Sequence, residues 1–208
     1  MEKIPNMGNS IKIISFLEKD IFQNIPMYQF SLQVDLDYKT VRKTVEMLSQ
    51  LNILKKEIKG KAYLISLNLS HYDIKTYLGF ASYYNRLTYF LKVSQFAYLF
   101  EDVKKLGLGN SCLVLFGSYV IDKQTKSSDI DLLLITESKA AASRIKSLLL
   151  NYDLKTDLNI LSFEQYQKAL ASRDFNLVNQ VLSKHIVLKN PELYWELTLQ
   201  GLKDGNRY

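Results

Sequence analysis

The chain has 208 residues, 47% hydrophobic and 23% charged, which suits one large or two small globular domains and argues against extensive disorder. A net charge of +6 turns attention to anionic partners, nucleic acid or nucleotide phosphates. A single cysteine, Cys112, excludes an internal disulfide, and no run approaches the ~18–20 apolar residues of a membrane span, so a cytoplasmic protein is expected.

Taken in order, residues 10–24 carry a helical stripe of Ile11, Ile14, Leu17 and Ile21, with Ser10 as N-cap and Asn24 and Pro26 as breakers. A short helix is expected from about Met27 to Val34. A stronger one runs from Asp37, its cap, to Leu51, with Val41, Val45, Leu48 and Leu51 on one face and Tyr38, Lys39, Arg42 and Lys43 near its start on the other. Residues 53–58 and 62–67 read as two strands around the turn Lys59-Gly60-Lys61.

Three helices followed by a basic hairpin resemble a winged helix-turn-helix over about residues 8–69. The resemblance implies DNA binding, with residues 37–51 as recognition helix, Tyr38 beside the groove, Arg42 reaching a guanine, and Lys39, Lys43, Lys59 and Lys61 on phosphates. Such domains also serve as protein-docking or dimerisation units. Residues 1–70 hold ten Lys or Arg against seven Asp or Glu, and Asp35 and Asp37 lie beside the expected recognition surface.

Residues 72–106 are expected as one long helix or two, with Tyr77, Phe80, Ala81, Tyr84, Leu87, Thr88 and Leu91, then Phe96, Leu99, Phe100 and Val103, on the apolar face. Gly107 and Gly109 stop it. Tyr83 and Tyr89 fall opposite that face and suggest a partner surface, including a homodimer seam.

An apolar run, Cys112 to Phe116, then ends in Gly117-Ser118. Ten residues later comes Asp129-Ile130-Asp131, followed by Leu132 to Ile135. Both runs read as buried strands. Two acids two residues apart on a strand share a face, repel each other and suit a hard divalent cation, Mg²⁺ or Mn²⁺. Gly-Ser, ten residues, Asp-x-Asp resembles the nucleotidyltransferases of the DNA polymerase β superfamily, and most of all the minimal nucleotidyltransferases of prokaryotes, over roughly residues 108–200.

Further on, 137–150 reads as a helix burying Ala140, Ala141, Ile145, Leu148 and Leu149. Residues 155–161 alternate as a half-buried strand. Helices follow at 163–170 and 174–184, then the apolar stretch 185–188 and a last helix near 192–199. The expected class is α+β: a winged helix-turn-helix at 1–70, an aromatic-rich connecting helix at 71–107 and a nucleotidyltransferase domain with a small mixed sheet at 108–208.

By resemblance, Asp129 and Asp131 hold two metal ions. Asp157, on the strand after the helix, supplies the third carboxylate, with Asp153 and Glu164 as weaker choices. Gly117, Ser118, Lys126 and Ser128 would hold the nucleotide, the amides of the tight turn forming an anion nest, and Lys123 could add charge from the loop. Relatives commonly carry a basic residue and a glycine where Ile121 and Asp122 stand.

The implied activity is transfer of NMP, AMP from ATP first, to a hydroxyl of a protein Tyr or Ser, an RNA end or a small molecule. Two alternatives stay open: a DNA-binding regulator whose nucleotidyltransferase-like half senses nucleotide or is inactive, and an antitoxin-like interaction protein.

Overall fold

A computed structural model describes residues 7–60, 62–93, 97–121, 128–152, 155–172, 174 and 176–207. The chain divides into two compact units, Met1–Tyr84 and Asn85–Tyr208.

The first unit holds α1 (Met7–Glu18), β1 (Ile25–Pro26), α2 (Met27–Gln33), α3 (Tyr38–Gln50), β2 (Leu54–Lys59) and β3 (Ala62–Leu67). The strands form an antiparallel sheet in the order β1-β3-β2. Helix α3 starts where Asp37 accepts a hydrogen bond from the Thr40 amide at 3.0 Å, satisfying one of the orphan donors of a helix start. Its inward face is Val41, Thr44, Val45 and Leu48, and α1 and α2 both pack on it. Gly60 takes a φ of 61° in the hairpin turn, a conformation that costs glycine nothing.

Three expectations change here. Helix α1 begins before Ser10, which is therefore inside it rather than its cap, and ends at Glu18; Ile21 is buried from the turn that follows. Leu51 caps α3 and is exposed instead of facing inward. The two-residue strand β1 was not expected. Pro26 has no N–H to give a ladder, and it sits where a proline is tolerated, on an edge strand.

Helix α4 (Ile74–Lys92) and helix α5 (Ala97–Lys105) follow, and the division between units falls inside α4. The apolar stripe expected on α4 is out of phase. Phe80, Leu87 and Leu91 are exposed, while Ile74, Leu78, Ala81, Ser82, Asn85, Arg86 and Tyr89 are buried. The buried face mixes apolar and polar residues, which hydrophobic periodicity does not detect. Its polar groups find partners: the Ser82 hydroxyl donates to the Glu18 carboxylate, and Arg86 Nη1 donates to the Leu188 carbonyl at 2.8 Å. Tyr89, expected on the open side, belongs to the core of the second unit.

That unit continues with β4 (Ser111–Phe116), β5 (Ile130–Thr136), α6 (Lys139–Leu150), β6 (Thr156–Leu161), α7 (Phe163–Ala171), α8 (Leu177–Ser183), β7 (Ile186–Lys189) and α9 (Pro191–Asp204). The sheet is mixed, in the order β6-β5-β4-β7. Helix α6 carries the chain back so that β6 runs parallel to β5, while β4 is antiparallel to both its neighbours. One sheet face, Leu113, Leu115, Ile130, Leu132 and Leu134, packs with α5 and α6 side chains such as Phe100 and Ile145. The alternate residues turn the other way, toward α7 and α9, whose Tyr166, Tyr194 and Trp195 are fully buried.

Helix α6 starts at Lys139, because the Ser138 hydroxyl caps it by accepting from the Ala141 amide, and Ala140 is exposed rather than buried. Helix α8 is shorter than expected. Helix α9 runs beyond residue 199 to Asp204: Gly201 lies within it at the α7 contact, where a Cβ would come within 3.0 Å of Gln167 Cα.

Candidate active site

The site is assembled by strand register. Phe116, the last residue of β4, pairs with Asp131, and on its other side Asp131 pairs with Asp157 across the parallel β5–β6 ladder. Cα partners in a parallel pair present their side chains on the same face, so the two carboxylates are neighbours. Asp129 lies one residue ahead of β5 and shares that parity. Asp131 is half-buried, whereas Asp129 and Asp157 are exposed.

Electrostatics report the crowding. Burial first, then the charge of Asp157, then that of Asp129 push the Asp131 carboxyl above its ordinary range, and a hydrogen bond from the Ser118 amide pulls the other way. Asn159 Nδ2 donates to Asp157 Oδ2 at 3.3 Å. Among the described residues, no three His, Cys, Asp or Glu side chains already close on one point as a metal cage. The register brings the acids side by side, and the two exposed ones have room to change rotamer.

The chain leaves β4 through a 3₁₀ turn, Gly117–Tyr119. Gly117 has a φ of 74°, and a Cβ there would overlap the Asp131 carboxylate, so two independent constraints demand glycine. The expected anion nest is largely spent on the protein itself. The Ser118 amide bonds Asp131, and the Val120 and Ile121 amides bond the Gly117 and Ser118 carbonyls at 3.2 and 3.3 Å. Ser118 is half-buried at the turn. Ser128 is half-buried too, and its carbonyl accepts from the Tyr119 hydroxyl at 3.3 Å. Sequence reasoning passed over Tyr119, and it set Asn159 on the strand face of Asp157 without giving it a role. The alternation of β6 was the signal for Asn159; the Tyr119 contact joins residues that no local pattern links.

Lys126, Lys123, Asp122 and Asp153 lie outside the described residues, as does Lys61 in the first unit. Glu164 is engaged at the start of α7 with Lys168, at 2.5 Å, and is not part of the acid group. In the first unit, Tyr38, Lys39, Lys43 and Lys59 are exposed. Arg42 is exposed as well and pairs with Glu46 one helical turn on, Nε to Oε1 at 3.2 Å.

Residues 97–193 match the model of a family described as nucleotidyltransferase domain. The matched stretch takes in β4, the Gly117–Tyr119 turn, β5 and β6, and supports a polymerase-β-type nucleotidyltransferase domain and nucleotidyl transfer in general. No curated protein and no solved structure matches the chain. No helix among the described residues is long and apolar enough to cross a membrane.

Burial and repulsion together at Asp131 have a measurable consequence. A carboxyl raised in the folded state contributes stability below its ordinary range and loses it as the pH rises. Asp131→Asn is therefore expected to melt higher than wild type at pH 7 in chelator-containing buffer, and the gain should shrink toward acid pH. Solvent screening keeps the effect small, about 0.2–1 kcal/mol, or roughly 1–4 °C. Differential scanning calorimetry across that pH range checks it; an unchanged or lower melting point at pH 7 would contradict the repulsion.

Proposed function

We propose that the second unit is a Mg²⁺-dependent nucleotidyltransferase that moves NMP, AMP from ATP in the first instance, onto a hydroxyl acceptor. The observation that carries this reading is the placing of Asp131 between the Gly117–Ser118 turn and Asp157, with Asp129 on the same side. Three oxygen donors with neither thiolate nor imidazole among them fit a hard cation, Mg²⁺ or Mn²⁺. Asp129, Asp131 and Asp157 would hold two such ions, which supply charge neutralisation at the attacking and leaving oxygens of an in-line displacement.

The chain's own groups do the rest. The Ser118 hydroxyl and the bare backbone at Gly117 would meet the β- and γ-phosphates, since the Ser118, Val120 and Ile121 amides are already bonded. Ser128 would stand beside them, and Lys126, outside the described residues, is the basic residue proposed to join it. Asp157, steadied by Asn159, stands on the acceptor side and takes the hydroxyl proton. The acceptor oxygen bonds to the α-phosphorus, the bond from that phosphorus to the bridging oxygen breaks, and pyrophosphate leaves with the electron pair. The acceptor is a protein Tyr or Ser, an RNA 3′ end or a small molecule. Purified protein with α-³²P-labelled ATP and Mg²⁺ is expected to transfer label to itself, RNA or a partner protein. Asp129→Asn and Asp157→Asn should each lower the rate by roughly 10²–10³-fold, on the order of what loss of a transition-state charge stabiliser costs. Transfer that survives both substitutions would overturn the assignment of these acids.

For the first unit we propose a winged helix that binds duplex DNA. Tyr38, Lys39 and Lys43 at the start of α3 and Lys59 at the hairpin would lie along the backbone, with Lys61 beyond the described residues. Arg42, whose exposed pair with Glu46 is weak, would reach a guanine from the same helix face. Fluorescence anisotropy with a labelled duplex is expected to show salt-dependent binding, and the Lys39→Glu, Lys43→Glu double variant should flatten the slope of log K against log[salt] by about 2, near 0.9 per phosphate contact. A wild-type slope near zero, or a variant with the same slope, would move this unit to protein docking.

A further inference from the structure

We infer that Tyr119 is a positioning residue for the acid group: its hydroxyl fastens the peptide that carries Asp129 to the turn that packs against Asp131. The inference deepens the nucleotidyltransferase reading and rests on it.

The two outer acids are held differently from the central one. Asp131 is inside β5, ladder-bonded to both neighbours and touched by Gly117 and the Ser118 amide. Asp129 precedes the strand and is exposed, so the β4–β5 and β5–β6 pairings do not reach it. Its amide belongs to the same planar peptide unit as the Ser128 carbonyl, because the C–N bond does not rotate freely. The Tyr119 hydroxyl donates to that carbonyl at 3.3 Å and so restrains the plane from which the Asp129 side chain departs.

Tyr119 is itself restrained. Its ring is half-buried against the core of the second unit, beside Val120. Its carbonyl faces the hydroxyl of Tyr89, a buried α4 residue, at 3.5 Å. The chain thus runs from a buried helix residue to the turn and from the turn to the Ser128–Asp129 peptide. The same turn presents Ser118, so the phosphate side and the metal side of the proposed site are fixed to one another through Tyr119. A tyrosine meets both needs, an apolar ring to anchor and a hydroxyl to reach a backbone acceptor.

Tyr119→Phe keeps the ring and removes only the hydroxyl. Mn²⁺ binding, followed by the electron paramagnetic resonance signal of the free ion, is expected to weaken roughly 3- to 10-fold, a fraction of the 10–100-fold typical when a partner of a metal ligand is lost. The melting temperature should stay within about 2 °C. Equal Mn²⁺ affinity in the two proteins overturns the inference, and so does a large melting-point loss without a change in affinity, which would make the hydroxyl purely structural. Wild-type protein that takes up no Mn²⁺ would instead overturn the nucleotidyltransferase reading, and the inference with it.

Discussion

The space under the Asp131 carboxylate is the constraint on which the second unit depends. That space is occupied by Gly117, at a φ of 74°, and no side chain fits there. Because this glycine directly follows β4, the chain can turn immediately and bring Ser118 against the acid. A conventional strand end would keep the turn away from β5, and the phosphate-holding and metal-holding halves of the proposed site would separate. The β4–β5 register, Phe116 to Asp131, follows from the same contact.

On the other side, helix α6 imposes a parallel partner. Only a crossover of this length can set β6 parallel to β5, and the in-phase register then puts Asp157 beside Asp131. A one-residue slip would send Asp157 to the face of Leu158 and Ile160, which belong to the apolar side. The buried rows on both faces hold that register: Leu132 and Leu134 against α5 and α6, Leu133 and Ile135 on the side of α7 and α9. Core packing here is therefore also placement of charge, and the fold holds three like charges together at a cost in stability.

Much of this was legible in the chain. Alternation alone put Asp129 and Asp131 on one face and Asp157 with Asn159 on another strand's matching face, since a period of two survives any tertiary context. The cap at Asp37 and the breakers at Gly107 and Gly109 were local chemistry and came out as local structure. What failed depended on distant partners. On α4 the buried positions include Ser82, Asn85 and Arg86, so an apolar stripe drawn through Phe80, Leu87 and Leu91 followed the exposed side. Arg42 is a different case: its exposed pair with Glu46 is one that a spacing of four already allows. The turn amides looked available to phosphate until the fold supplied Asp131 and the turn's own carbonyls as acceptors.

If the turn and the three acids form one site, nucleotide and metal must bind together. Isothermal titration with α,β-methylene-ATP, whose bridging carbon blocks transfer, tests that directly. The account predicts measurable binding in Mg²⁺ that is lost both in EDTA and in Asp131→Asn. Binding that is as tight in EDTA as in Mg²⁺, or absent in both, would contradict it.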